Sequence, residues 1–144
     1  MRPVNVTRCD KRPYQFAPPF EGKDYALLLY IAAEDVSADE QATISQKIID
    51  SGCRYAVCYG HNCSSWDDSI DMASVISGKE ETEFVMTTWL DDEVPEDVVH
   101  FFWNNTWFDE FIAERMGVFI IGSNPPVETE LMHEIVRANH TAQE

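Results

Sequence analysis

The chain has 144 residues, of which 44% are hydrophobic and 12% are aromatic, so it can bury a sizeable core and is too apolar for a disordered protein. Its formal net charge is −16, which disfavours binding to nucleic acid or to an anionic membrane, because phosphate recognition needs clustered Lys and Arg. No apolar run approaches the roughly 18 residues of a membrane span, and the N-terminus lacks an apolar signal core, so we expect a cytoplasmic protein.

The charge is unevenly distributed along the chain. Residues 1–23 carry five basic and two acidic groups, a balance of +3, and the remaining residues therefore hold a balance of −19. Four prolines among the aromatic residues of this first segment disfavour a regular element. We predict an extended, basic, Pro-rich N-terminal arm (1–23) packed on one α/β domain (24–139), with a frayed tail (140–144).

Four apolar runs after the arm predict strands, over residues 25–33, 53–59, 84–90 and 117–122. Helix signals separate them: the capping box Ser37-Ala-Asp-Glu40, Ser64 or Ser65 as a cap before Trp66, Pro95 in a first turn, and an apolar stripe after Pro126. Between 103 and 116 the pattern predicts a short helix capped by Thr106, carrying the apolar residues Trp107, Phe108, Phe111 and Ile112.

Strands that alternate with helices indicate the α/β class. We predict a three-layer α/β/α domain whose four-stranded, mostly parallel, doubly wound sheet has the strand order 2-1-3-4. In element order this arrangement resembles the flavodoxin-like and Rossmann-like architectures.

Acidic residues follow several of the predicted strands. Ligands of such sheets bind beyond the carboxyl ends of the strands, so this edge is the expected site. The candidate partner-binding residues are Glu34, Asp35, Asp67, Asp68, Asp91, Asp92 and Glu93. Acids in a first helical turn are also favoured by the helix dipole alone, and acidity of this size is typical of a soluble bacterial-type protein.

These features predict an acidic protein-binding module, of the immunity or antitoxin type, that inhibits a partner by occupying its basic surface or active cleft. The expected partner is a toxin or a nucleic-acid enzyme, and Trp66, Trp89, Trp103 and Trp107 are candidate anchors. A homodimer formed through the aromatic region 101–111 is a further hypothesis.

The alternative is a metal-dependent enzyme, either a phosphoryl transferase or a hydrolase. Glu34, Asp35, Asp91 and Asp92 would hold Mg²⁺ or Mn²⁺ through carboxylate oxygens. An acid after the first strand and acids after a later one resemble the toprim-type nuclease and the receiver domain. The chain departs from both in the glycine context of the first acid and in lacking a strand-end lysine.

Other polar residues near the strand ends are candidates for a small ligand: His61, Cys63, Thr88, Ser123 and Asn124. Cys58, His61 and Cys63 could bind zinc, or Cys63 could act as a nucleophile with His61. All four cysteines are expected to be reduced. No glycine-rich phosphate-binding loop is present, so we expect no nucleotide cofactor.

Overall fold

The computed structural model describes residues 1–79 and 82–141. The strands of this part are β1 (Val4–Cys9), β2 (Tyr25–Ile31), β3 (Cys53–Gly60), β4 (Met86–Leu90), β5 (Trp107–Phe108), β6 (Phe111–Ile112) and β7 (Met116–Ile121). The helices are α1 (Ala38–Asp50), α2 (Cys63–Ser77), α3 (Pro95–Asn104) and α4 (Pro125–Thr141).

The sheet confirms the predicted α/β class but not the predicted strand order. Five parallel strands lie in the order β1-β7-β2-β3-β4. The four predicted strands therefore have the order 4-1-2-3 rather than 2-1-3-4. The reason is that α1 and α2 lie side by side on one face, so β2, β3 and β4 follow one another in a single direction. On the other face α3 returns the chain to β7, on the far side of β2.

Two apolar cores, one on each face of the sheet, make up the three layers. Every residue of β2 is buried, as expected for a central parallel strand. Leu27 and Leu29 pack on the face covered by α1 and α2, whereas Leu28 packs on the face covered by α3 and α4. Because all five strands are parallel, their carboxyl ends lie at the same edge of the sheet.

Part of the segment predicted as an N-terminal arm belongs to the sheet. β1 pairs with β7 from Val4 to Cys9, so the sheet has a fifth strand. The following residues cover the sheet beside α1, where Phe16 is buried and meets Phe119 edge-on at 4.9 Å between ring centroids. At Gly117 a Cβ atom would lie 2.5 Å from Cγ of Pro19. The arm therefore packs on the same face of the sheet as α1 and α2.

The predicted short helix after Thr106 is wrong. Trp107 pairs with Ile112, and Phe108 with Phe111, in an antiparallel hairpin. Thr106 does not cap a helix there, because its hydroxyl donates to the carbonyl of Phe102 at 2.8 Å. The inward-facing Phe111 is buried, whereas the other side of the hairpin faces solvent.

The helix ends agree with the sequence signals in part. Both hydrogen bonds of the Ser37–Glu40 capping box are present. Helix α2 begins at Cys63, earlier than a cap at Ser64 or Ser65 allows, because Asn62 adopts a left-handed conformation (φ 58°) and makes the turn after β3. Helix α4 continues to Thr141, so the predicted tail is helical at 140–141, and residues 142–144 lie outside the described part.

Candidate functional site

Exposed carboxylates from two separate loops lie at the carboxyl edge of the sheet. Glu34 and Asp35 follow β2, and Asp91, Asp92 and Glu93 follow β4; all five side chains are exposed. We call these five residues the acidic rim. Because β3 lies between β2 and β4, the two parts of the rim are separated by two strand spacings, about 10 Å.

The β4–α3 loop, which carries three of the five acids, has a defined conformation. Asp92 adopts a left-handed backbone conformation with φ of 57°, which Asp tolerates better than most residues. The hydroxyl of Tyr59 donates to the carbonyl oxygen of Glu93 at 2.8 Å. The loop is therefore tied to the end of β3, and its carboxylates face solvent.

Positive charges of the arm neutralise one end of the rim. Arg12 lies 3.7 Å from the carboxylate of Asp35 and 2.8 Å from that of Glu40, and Tyr14 donates its hydroxyl to Asp35 at 3.0 Å. Glu40 accepts backbone N–H groups of Ser37 and Tyr14, and these bonds, with Arg12, lower the pKa of Glu40 to about 2. In the described part of the chain the other four rim acids have no cationic group within 4.0 Å.

Asp67 and Asp68, predicted with the rim, lie on α2 and differ from each other. Asp68 is exposed, but Asp67 is buried in the groove between α2 and β4. The hydroxyl of Thr87 lies 2.9 Å from the carboxylate of Asp67 and 2.7 Å from that of Asp71. A hydroxyl has one hydrogen to donate, so this geometry favours a proton on one carboxylate. Burial raises the pKa of Asp67, and Asp71 raises it further.

The cysteine and histidine candidates do not assemble into a site. Cys63 is buried with its sulfur 3.7 Å from the carbonyl oxygen of Leu90, and burial raises the pKa of its thiol, the opposite of what a nucleophile needs. Cys58 is fully buried and its pKa is also raised by burial. His61 is exposed. Within residues 1–79 and 82–141, no three His, Cys, Asp or Glu side chains are grouped to hold a metal ion.

The remaining ligand candidates lie in two places: Thr88 is on β4, and the consecutive residues Ser123 and Asn124 follow β7. Thr88 exchanges a hydrogen bond with the hydroxyl of Tyr55 at 3.0 Å, on the face covered by α3. Ser123 is exposed. The backbone N–H of Asn124 donates to Glu128 at 2.6 Å at the start of α4, and Glu128 is also paired with Arg8. Thr88 and Asn124 therefore make local hydrogen bonds.

Two of the four tryptophans are available as anchors. Trp66 and Trp103 are buried, whereas Trp89 is 49% exposed and Trp107 is 61% exposed. Trp89 lies on β4, the edge strand of the sheet, two residues before the rim. Trp107 lies on the hairpin near the amino ends of the strands, where Phe108 contacts Arg54 of β3. Trp107 is the exposed aromatic residue of the region 101–111 proposed for a homodimer, and the homodimer stays a prediction.

Two further features were not predicted from the sequence. One is the Asp67–Thr87–Asp71 cluster, and the other is a cleft of about 580 Å³ between α3 and α4 that Arg2 and Trp103 line. The spacing of Asp67 and Asp71 by one helical turn was the available signal for the first. Nothing local could indicate the second, because Arg2 and Trp103 are a hundred residues apart.

The described residues contain no helix that is both long and apolar enough to cross a membrane. No curated protein matches the sequence. One family model does match, over residues 5–138, and its description is "Domain of unknown function (DUF7684)". That match spans the sheet except for Val4, and α4 as far as residue 138, so the chain belongs to the DUF7684 family.

Proposed function

We propose that this protein binds a positively charged partner protein through the acidic rim and inhibits it by occupying a basic surface or active cleft. The observation that carries the proposal is the set of four exposed rim carboxylates, Glu34, Asp91, Asp92 and Glu93, that have no cationic neighbour within 4.0 Å in the described residues. A cleft lined by Lys and Arg would provide the missing counter-charges.

Electrostatics of this kind acts mainly on the rate of association. An exposed ion pair contributes only about 0 to 1 kcal/mol, whereas a concentrated field can raise the association rate by roughly 10- to 1000-fold. The Debye length at physiological ionic strength is about 8 Å, close to the spacing of about 10 Å between the two parts of the rim. The association rate should therefore decrease steeply with salt.

Trp89 is the expected source of binding free energy beside this field. It is half exposed, lies on an edge strand and precedes the rim by two residues. Tryptophan is enriched among the residues that dominate interface energies. A partner that covers both the rim and Trp89 would bury an apolar centre bounded by charge pairs, which is the usual arrangement in protein interfaces.

The test compares two neutralised variants with equal changes of net charge. The rim variant carries Asp91→Asn, Asp92→Asn and Glu93→Gln; asparagine suits the left-handed conformation at position 92. The control variant carries three changes among the exposed acids on or beside the hairpin: Asp109→Asn, Glu110→Gln and Glu114→Gln. Each protein is used for affinity capture from its native cells, and the captured partner is then purified.

With the purified partner, we expect the rim variant to associate at least tenfold more slowly than the native protein and to lose inhibition of the partner's activity. The control variant should retain both. Trp89→Ala should leave the association rate nearly unchanged and accelerate dissociation. Equal capture and inhibition by the rim and control variants would show that the rim is not the binding surface.

A further inference from the structure

A cleft of about 580 Å³ lies between α3, α4 and the first residues of the chain. This volume is within the range of about 300 to 1000 Å³ that is typical of small-ligand sites. The charged and hydrogen-bonding side chains that line it come from all three segments, and they include Arg2, Glu96, Asp97, His100, Trp103 and Arg137.

Trp103 has an unpaired hydrogen-bond donor at this cleft. The side chain is 4% exposed, and among the described residues its Nε1 is the one buried side-chain nitrogen or oxygen without a hydrogen-bond partner. Buried polar groups in folded proteins are nearly always paired, so an orphaned indole N–H on a residue that lines a cleft points to an acceptor supplied by a ligand.

Arg2 adds a cation beside the same indole. Its guanidinium carbon lies 4.7 Å from the centre of the Trp103 ring, and in the described part of the chain no carboxylate lies within 4.0 Å of it. Partial burial lowers the pKa of Arg2, the direction expected for a cation without a counter-charge. Asn139 fixes the backbone of Arg2 through two hydrogen bonds of 3.0 Å each.

The opposite end of the cleft carries negative charge. Glu96 and Asp97 lie in the first turn of α3 and are exposed, whereas Trp103 lies in its last turn. Glu134 lines the cleft too, but it already pairs with Arg137 at 3.5 Å. From Glu96 to Trp103 the helix rises by about 10 Å. The cleft therefore has the donors of Arg2 and Trp103 at one end and the carboxylates of Glu96 and Asp97 at the other. The distance between the two ends equals the length of an extended tripeptide, since each extended residue spans about 3.3 to 3.6 Å.

We propose that the cleft between α3 and α4 binds a small dipolar ligand of tripeptide length, with its carboxylate at Arg2 and Trp103 and its ammonium group at Glu96 and Asp97. The indole N–H and the guanidinium together provide a two-donor site for the carboxylate. In the reversed orientation the ligand's carboxylate would face Glu96 and Asp97, and its ammonium group would face Arg2, so both ends would repel. None of the residues that line this cleft belongs to the acidic rim.

The probe is Ala-Ala-Ala, titrated to millimolar concentrations into ¹⁵N-labelled protein while the four indole N–H resonances are followed. Trp103→Phe identifies the Trp103 resonance. We expect that resonance to move in a saturable way. Arg2→Gln should weaken binding at least tenfold, and Lys47→Gln, which removes an exposed cation on the other face of the molecule, should change it by less than twofold.

Two capped peptides test the two ends separately. The C-terminal amide and the N-acetylated form of Ala-Ala-Ala should each bind at least tenfold more weakly than the free tripeptide. Equal binding of the amide overturns the carboxylate site, and equal binding of the acetylated form overturns the dipolar ligand. If Trp103→Phe does not fold, the absence of movement in all four indole resonances, or full binding by Arg2→Gln, still overturns the proposal.

Discussion

Replacing Phe16 by alanine tests whether the N-terminal arm is an integral part of the fold. The ring is 7% exposed and meets Phe119 of β7 edge-on, so the substitution removes a buried aromatic side chain and leaves a cavity beneath the arm. Such truncations cost about 3 to 5 kcal/mol, a large part of the roughly 5 to 15 kcal/mol that stabilises a typical domain. We therefore expect the urea midpoint to fall markedly.

The control for this substitution is Gln15→Ala, because Gln15 is the exposed neighbour in the same arm and should lie within about 0.5 kcal/mol of the native protein. A double-mutant cycle with Phe119→Leu should give a coupling free energy of about 0.5 to 1.5 kcal/mol for the aromatic pair. If Phe16→Ala costs less than about 1 kcal/mol, the arm does not contribute a core residue and the three-layer description of this face fails.

Three further predictions concern the titratable groups. Asp67→Asn should stabilise the protein at neutral pH and have little effect below pH 3.8. The reason is that burial raises the pKa of Asp67 in the folded state above its ordinary value of 3.8. The stability that the protonated carboxyl contributes is therefore present below pH 3.8 and is lost as the pH rises through the folded-state pKa. Denaturation at both pH values measures the difference, and equal effects at the two would contradict it. Glu40→Gln should show the opposite dependence, because the pKa of Glu40 is lowered to about 2: the substitution should destabilise the protein above pH 4.5, and this difference should disappear as the pH falls toward 2. Iodoacetamide should label Cys9 in the native protein well before Cys53, Cys58 and Cys63, which are buried; intact-mass spectra taken over time report this order, and early labelling of Cys63 would show that it is a reactive thiol after all.

The class of the fold could be predicted from the sequence because the central strands are long apolar runs with clear helix signals between them. The strand order could not, since no local feature indicates on which side of β2 the chain returns. β1 was not recognised because Asn5, Thr7 and Arg8 interrupt any apolar run. At the hairpin, residues 107, 108, 111 and 112 fit a helical spacing as well as they fit two short paired strands.

The position of the acidic rim was also predictable, because acids that directly follow parallel strands must lie at the same edge of the sheet. The burial of Asp67 was not, since it depends on Thr87, twenty residues later, facing α2. The cleft at Arg2 and Trp103 depends on contacts between the two ends of the chain and the middle. Tertiary contacts of this range leave no periodic signal in the sequence.

The pairing of β1 with β7 has a consequence for the order of folding during synthesis. β2, β3 and β4 each find a neighbour among strands made shortly before or after, but β1 has to wait for a partner more than a hundred residues further along. At translation rates of about 5 to 20 residues per second, that delay is roughly 5 to 20 s. During this interval β1 lacks its partner strand, and Phe16 lacks the Phe119 ring on which it packs in the folded protein.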